Sequence, residues 1–139
     1  MSKIDSFSKE YEFLSNFYSQ EITYDGIKYP TNEHAFQAAK TLDLEERKVI
    51  SSLPTPGQAK RAGRRVSLRP DWEEVKFDVM KEIVILKFIN PALKEKLLAT
   101  GDSELIEGNT WNDRCWGVCN GVGQNNLGRI LMEVRELLK

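Results

Sequence analysis

The sequence is organised around one stretch, Tyr29-Pro-Thr-Asn-Glu-His-Ala-Phe-Gln-Ala-Ala-Lys40. Pro30 ends whatever element precedes it, and Thr31 is a residue type that commonly caps the N-terminus of a helix. The residues that follow have helical spacing of apolar and polar side chains. The stretch therefore predicts a helix from Thr31 to Thr41.

The spacing within this helix separates two kinds of side chain. At about 100° per residue, one face carries the side chains of Glu33, Phe36, Gln37 and Lys40. The other face carries only the methyl groups of Ala35, Ala38 and Ala39. Methyl groups favour close packing, so we expect the polar stripe to face a cavity. The alternative is a solvated face, in which Glu33 only complements the helix dipole.

Length and composition indicate one domain over residues 1–139. The chain is 40% hydrophobic and 29% charged, as expected of a globular protein. Its 20 basic and 21 acidic side chains give a net charge of −1, which disfavours a dedicated nucleic-acid binder. The sequence contains no apolar run long enough to span a bilayer and no signal-peptide core. We therefore expect a cytoplasmic protein with no membrane partner.

The two cysteines, Cys115 and Cys119, are four positions apart. On an extended segment this separation is too great for a disulfide bond. Together with the single histidine, His34, they do not provide the four ligands of a structural zinc site. We expect reduced, partly buried cysteines and no metal.

The remaining patterns predict an α+β fold, a single compact and mostly helical domain with a small β-sheet. Asp25-Gly26 between alternating apolar residues predicts a hairpin with a type I′ turn. Helical spacing predicts further helices at 44–53, 55–65, 70–89 and 92–100, and a last helix after a glycine-rich loop at 121–128. Strands are expected near 104–108 and 115–119, and residues 13–18 as a strand or an irregular segment. We expect one sheet, formed by the hairpin and these strands, among five or six helices.

Two polar stretches are candidates for binding an anion. One is the basic cluster of Lys60, Arg61, Arg64 and Arg65, which is either a solvated positive face or a phosphate patch. The other is the glycine-rich loop, which matches neither a P-loop nor a dinucleotide fingerprint. Its backbone amides are a possible anion site. Alternatively, Asn125 or Asn126 simply caps the last helix.

Several separated motifs resemble one family. They are Phe13-Leu-Ser-Asn-Phe17, Tyr29-Pro-Thr-Asn-Glu33 with Phe36-Gln37 and Lys40, Leu68-Arg-Pro-Asp-Trp-Glu73, Val79-Met80, Leu98-Leu-Ala-Thr-Gly-Asp102, Asn112-Asp-Arg-Cys-Trp-Gly117 and Asn126-Leu-Gly-Arg-Ile-Leu-Met132. In this order and spacing, the sequence is similar to the YbiA/NADAR family from about Phe7 to the C-terminus.

The resemblance implies an N-glycosidase that hydrolyses its substrate without a cofactor. Members cleave the bond between ribose 5-phosphate and the aminopyrimidine of early riboflavin intermediates, such as 5-amino-6-(5-phospho-D-ribosylamino)uracil and its 2,5-diamino precursor. Others remove ADP-ribose from guanine in nucleic acid. The expected substrate is a ribosylamine phosphate or an ADP-ribosyl compound, with nucleic acid as a partner only in the second case. A third hypothesis is a non-catalytic module that binds NAD-derived ligands such as ADP-ribose.

The resemblance also implies which residues form the site. Catalytic roles are expected for Glu33, Lys40 and Asp113. Substrate binding is expected for Asn16, Phe17, Gln37, Arg64, Trp72, Trp116, Gly117 and Asn126. No metal ligands are expected.

These residue types suit cleavage of a ribosyl C–N bond. Positive charge develops on the sugar in the transition state, and a nearby carboxylate stabilises it. Glu33 and Asp113 would divide this role and the proton transfers between them. A second route uses Lys40 as a Schiff-base nucleophile on the ring-opened ribosylamine. Trp72 or Trp116 would stack on the heterocycle; the alternatives are core packing for both tryptophans and a turn cap for Asp113.

Overall fold

The computed structural model describes residues 2–139. The strands are β1 (Lys3–Ile4), β2 (Ser19–Tyr24), β3 (Ile27–Thr31), β4 (Glu104–Leu105), β5 (Gly108–Asn109) and β6 (Val118–Cys119). The α-helices are α1 (Asn32–Ala39), α2 (Leu44–Ser51), α3 (Pro56–Ala62), α4 (Trp72–Phe88), α5 (Pro91–Ala99) and α6 (Asn126–Leu137), and a 3₁₀ helix spans Lys9–Leu14. Within residues 2–139, every helix is too short or too polar to cross a bilayer.

The described residues form two units. One contains residues 16–87, and the other contains residues 2–15 together with 88–139. The predicted single domain over residues 1–139 stays a prediction.

In the unit of residues 16–87, strands β2 and β3 form the predicted hairpin. Asp25 and Gly26 have φ angles of 48° and 82°, the left-handed geometry that a type I′ turn requires. Tyr24 pairs with Ile27 across the turn. Arg47 of α2 is buried and makes an ion pair of 3.0 Å with Asp25. The turn is thereby attached to the helices that follow it.

Helix α1 begins directly after β3, as the sequence predicts. The Thr31 hydroxyl accepts a hydrogen bond from the His34 backbone N–H at 3.2 Å, which is the predicted N-cap. The helix ends at Ala39, two residues before the predicted end at Thr41. There the Thr41 N–H donates to the Ala38 carbonyl at 3.2 Å, a shorter-range bond that tightens and ends the last turn.

The other three helices of this unit were predicted, but each is shorter than expected: α2 ends at residue 51 rather than 53, α3 at 62 rather than 65, and α4 spans 72–88 rather than 70–89. Asp43 caps α2, and Thr55 with Gln58 forms a capping box at the start of α3. Helix α4 is the longest, and its buried apolar residues recur at helical spacing. Its most deeply buried apolar residues are Val79, Met80, Ile83, Val84 and Phe88.

In the unit of residues 2–15 and 88–139, the segment before β2 differs from the strand alternative. Residues Lys9–Leu14 form a 3₁₀ helix, and residues 15–18 are irregular. Phe13 and Leu14 are buried, and the Phe13 ring packs edge-to-face against Phe88 with centroids 6.4 Å apart. The irregular alternative is therefore correct: the Phe13 ring packs on Phe88, and the segment pairs with no strand among residues 2–139.

The strands form three separate pairs in residues 2–139, so the prediction of one sheet is wrong. β2 pairs with β3, β1 pairs in parallel with β4, and β5 pairs in parallel with β6. The predicted strands at 104–108 and 115–119 are reduced to two residues each. Two glycines at these strands allow close approach of the chain: a side chain at Gly108 would overlap the Asp5 carbonyl, and one at Gly117 would overlap Glu107.

Candidate functional site

All eight residues of helix α1 are buried in the unit of residues 16–87. Ala35, Ala38 and Ala39 have no exposed surface, which confirms the predicted close packing of the methyl face. The polar stripe is also buried, with Glu33 exposed by 8% and Gln37 by 5%. The Gln37 amide donates to Glu33 Oε2 at 2.6 Å. The alternative of a solvated Glu33 that only complements the helix dipole is therefore wrong.

Lys40 follows the last turn of α1 and is partly exposed. Partial burial lowers the pKa of Lys40, Glu33 raises it, and the cations Arg64 and Lys60 lower it. The net direction is downward, towards a larger fraction of neutral amine. The pKa of Lys40 thus depends on the buried Glu33 carboxylate and on two cations of the basic cluster.

The four cations of the basic cluster differ in their effect on the pKa of Lys40. Lys60 and Arg64, at the end of α3 and just beyond it, act electrostatically on Lys40. Arg61, Arg64 and Arg65 are exposed, and Lys60 is partly exposed. The sequence predicts a positive face of four cations, but only Lys60 and Arg64 act on the pKa of Lys40.

Asn16 supports the start of α1. Its carbonyl accepts the Glu33 backbone N–H at 3.0 Å, and its side-chain oxygen accepts from Asn32 at 3.4 Å. Asn16 is buried, whereas its neighbour Phe17 is 45% exposed. The structure gives Asn16 a role in fixing the backbone of Glu33, and the substrate-binding roles of Asn16 and Phe17 stay predictions.

Trp72, at the start of α4, packs against the polar stripe of α1. Its ring lies 5.1 Å from the Phe36 ring, centroid to centroid, at an interplanar angle of 55°. Trp72 is only 6% exposed. Core packing, the alternative given above, describes its observed contact, and stacking on a heterocycle stays a prediction.

The other predicted site residues lie in the unit of residues 2–15 and 88–139, on the loop between β5 and α6. Asp113 Oδ1 accepts the backbone N–H groups of Cys115 at 3.2 Å and Trp116 at 2.9 Å. Asp113 is therefore a turn cap in this structure. Its catalytic role, and the stacking role of the partly exposed Trp116, stay predictions.

Gly117 and Asn126 hold this loop against α6. The Gly117 carbonyl accepts the Asn125 N–H at 3.3 Å, and the Asn126 amide donates to the Cys115 carbonyl at 2.8 Å. Asn125 occupies the N-cap position of α6 with a φ of 55°, but its side chain makes no capping hydrogen bond. It binds instead to the backbone of Glu107 at 2.9 Å. The substrate-binding roles of Gly117 and Asn126 stay predictions.

Sequence reasoning overlooked a buried lysine. Lys87 is 1% exposed, its ammonium lies 5.3 Å from the centroid of the Tyr18 ring, and burial lowers its pKa to about 7. A signal was present, since Lys87 follows Val79 and Ile83 at intervals of four along the core face of α4. Both cysteines are free thiols, and residues 2–139 contain no cluster of potential metal ligands.

Comparison with known proteins identifies the family. The sequence profile described as the NADAR domain matches residues 4–139. The chain belongs to the NADAR family. It is 45% identical over 137 residues to N-glycosidase YbiA of Shigella flexneri serotype 5b (strain 8401), covering 96% of this chain and 85% of that protein.

Two further relatives extend the NADAR comparison. A riboflavin biosynthesis protein of Vibrio vulnificus (strain YJ016) is 42% identical over 131 residues, which cover 91% of this chain and 35% of that protein. The NMR structure of E. coli YbiA superposes with a TM-score of 0.87 at 43% identity, covering 99% of this chain and 84% of that one. The predicted mixture of helices and small sheets is confirmed, and this NADAR chain is an N-glycosidase.

Proposed function

We propose that this N-glycosidase hydrolyses the bond between ribose 5-phosphate and the aminopyrimidine of an early riboflavin intermediate. The proposal is supported by the name of the Vibrio relative. Within the unit of residues 16–87, it rests on one observation. Buried Glu33 lies in α1, partly buried Lys40 follows its last turn, and Glu33, Arg64 and Lys60 all act electrostatically on Lys40. An acid, an amine and two cations suit a phosphorylated sugar joined to an amine.

Glu33 would stabilise the reacting sugar. When the C1′–N bond breaks, its electron pair goes to the nitrogen, which takes up a proton, and positive charge remains on the sugar. A carboxylate held in a water-poor environment stabilises such charge more than one in bulk solvent. The Glu33 carboxylate then receives the proton of the water that adds to C1′. The products are ribose 5-phosphate and the free amine.

Lys40 offers a second route to the same products. The ribosylamine opens to an imine, and the neutral Lys40 amine adds to C1′ and displaces the heterocyclic amine, which leaves with the proton that Lys40 gives up. Water then hydrolyses the lysine Schiff base and releases ribose 5-phosphate. The lowered pKa of Lys40 favours this route, because only the neutral amine is nucleophilic.

Lys60 and Arg64 would bind the 5-phosphate. Arginine presents paired N–H donors that match phosphate oxygens, and lysine adds a compact positive charge. Membership in an N-glycosidase family disfavours the hypothesis of a non-catalytic module.

The test compares two substrate classes. The protein is incubated with 5-amino-6-(5-phospho-D-ribosylamino)uracil and, separately, with DNA carrying ADP-ribosyl guanine, each beside an enzyme-free control for spontaneous hydrolysis. We expect enzyme-dependent release of ribose 5-phosphate from the first. Release of ADP-ribose from the DNA, with no acceleration of the first reaction, would replace the proposal by its ADP-ribosyl-guanine alternative. Neither reaction above the control would refute both.

A further inference from the structure

One close contact in the unit of residues 16–87 involves Gln37 of α1 and Gly63, which follows α3. A side chain added at Gly63 would overlap the Gln37 amide oxygen and its amide carbon. Gly63 has a φ of −60°, in the right-handed helical region. Any residue type adopts that backbone conformation, so the backbone does not require glycine there. The requirement is for space beside Gln37.

The orientation of the Gln37 amide follows from its two ends. Nε2 donates to Glu33 Oε2 at 2.6 Å. The reverse orientation would place the amide oxygen against the carboxylate, where two acceptors repel each other. The oxygen therefore faces Gly63, where it is buried and has no hydrogen-bond partner among residues 2–139. A buried, unpartnered oxygen is unfavourable, so the bond to Glu33 must maintain this orientation.

We propose that Gln37 is a positioning residue that fixes the Glu33 carboxylate, and that Gly63 provides the space in which Gln37 does so. Gln37 is 5% exposed, and its free oxygen has essentially no accessible surface. It is thus placed to act through Glu33 rather than to contact substrate, the role that the family resemblance implied. The inference rests on the proposed catalytic role of Glu33.

The substitution Gly63→Ala tests this arrangement, and the same helical segment provides a matched control. A methyl group at Gly57 of α3 would lie 3.9 Å from the Thr55 hydroxyl, an ordinary contact. We expect Gly63→Ala and Gln37→Ala each to lower kcat by about 10- to 100-fold, the range for losing a hydrogen bond to a charged group, with KM within about threefold. Gly57→Ala should leave both constants unchanged.

A double-mutant cycle tests whether Gly63→Ala acts through Gln37 or through another neighbour. In the Gln37→Ala background the amide group is gone, and only the Cβ of residue 37 remains, 3.1 Å from a methyl group added at Gly63. Adding Gly63→Ala there should therefore lower kcat and the melting temperature far less than it does in the wild type. An additional loss equal to that of Gly63→Ala alone would show that Gly63 acts through other neighbours such as Arg64. That result would overturn the inference, as would a normal kcat for Gln37→Ala.

A measurement without substrate keeps this inference distinct from the proposed function. The side-chain amide signals of Gln37 in a ¹H–¹⁵N spectrum are identified by their loss in Gln37→Ala. They should move in Gly63→Ala and stay in place in Gly57→Ala. Unmoved signals in Gly63→Ala would refute the inference whatever the substrate is. Wild-type inactivity towards the ribosylamine phosphate, with signals that move as expected, would instead refute the proposed substrate.

Discussion

Replacing Glu33 by glutamine removes the negative charge of the stripe while keeping its shape. Glu33 is 8% exposed and accepts a 2.6 Å hydrogen bond from Gln37, so water is largely excluded from its carboxylate. Loss of one well-placed group that stabilises transition-state charge costs about 2.7–4 kcal/mol. At about 1.36 kcal/mol per factor of ten, we expect kcat to fall by about 100- to 1,000-fold.

The same substitution predicts a shift in the pH profile. Glu33 raises the pKa of Lys40, so its removal lowers that pKa further. If the reaction uses the neutral amine of Lys40, activity increases as the pH rises through this pKa. The acidic limb of the profile for Glu33→Gln should therefore lie at lower pH than that of the wild type.

The assay measures initial rates of ribose 5-phosphate release across this pH range. Glu45→Gln is the matched control, because Glu45 also lies in the first turn of a helix but its side chain is 84% exposed. Its rates should equal those of the wild type, and circular dichroism should show that both variants are folded. A kcat for Glu33→Gln within about tenfold of the wild type would refute the reasoning, because so small a loss is below the expected range.

Three further predictions concern lysines and arginines of the unit 16–87. Joint replacement of Lys60 and Arg64 by alanine should raise KM by about tenfold or more, through lost phosphate contacts, and should raise the pKa of Lys40. The control Arg61→Ala should change neither KM nor this pKa. Initial rates measure KM, and an unchanged KM for the double variant would contradict the prediction. Borohydride added during turnover should label Lys40 with the sugar, detected by peptide mass spectrometry and absent in Lys40→Arg; labelling elsewhere would contradict the Schiff-base route. Burial lowers the pKa of Lys87 to about 7, so the unfolded chain binds the extra proton between about pH 7 and 10 and stability rises with pH there. Urea unfolding should show a steeper rise in the wild type than in Lys87→Met, in which the lowered pKa of Lys40 still contributes a rise; equal slopes would contradict the prediction.

Local signals predicted the unit of residues 16–87 well. Asp-Gly between alternating residues specifies a turn in which Asp25 and Gly26 both have positive φ, and the Thr31 hydroxyl caps the helix that follows directly. The long apolar stripe of α4 likewise depends only on neighbouring positions. Each of these features is determined by residues within about one or two turns of each other.

Pairings between distant residues were not predictable in the same way. Lys3 pairs with Glu104, about a hundred positions along the chain, in a strand pair of two residues. Periodicity carries no information about such pairing, and strands this short have no repeating pattern. The prediction of a single sheet failed for this reason, and the predicted strands at 104–108 and 115–119 were also too long.

In the candidate site, too, features set by neighbouring residues were predictable, whereas features set by packing between distant residues were not. Helical spacing placed Glu33, Gln37 and Lys40 on one face. In the structure Glu33 and Gln37 lie in α1 and are hydrogen-bonded to each other, and Lys40 is the C-cap residue, whose pKa Glu33 raises. The burial of that face, the Glu33–Gln37 hydrogen bond and the closeness of Gly63 depend on how α3 packs. The turn cap made by Asp113 was recognised only as an alternative, because spacing does not distinguish a capping carboxylate from a catalytic one.

The proposed function depends above all on Glu33 of α1 and its cleavage of a ribosylamine phosphate. The most direct measurement follows both products of 5-amino-6-(5-phospho-D-ribosylamino)uracil, with wild type and Glu33→Gln side by side. We expect the wild type to form ribose 5-phosphate and 5,6-diaminouracil in equal amounts, and Glu33→Gln to form both about 100- to 1,000-fold more slowly. Equal rates for the two proteins would contradict it.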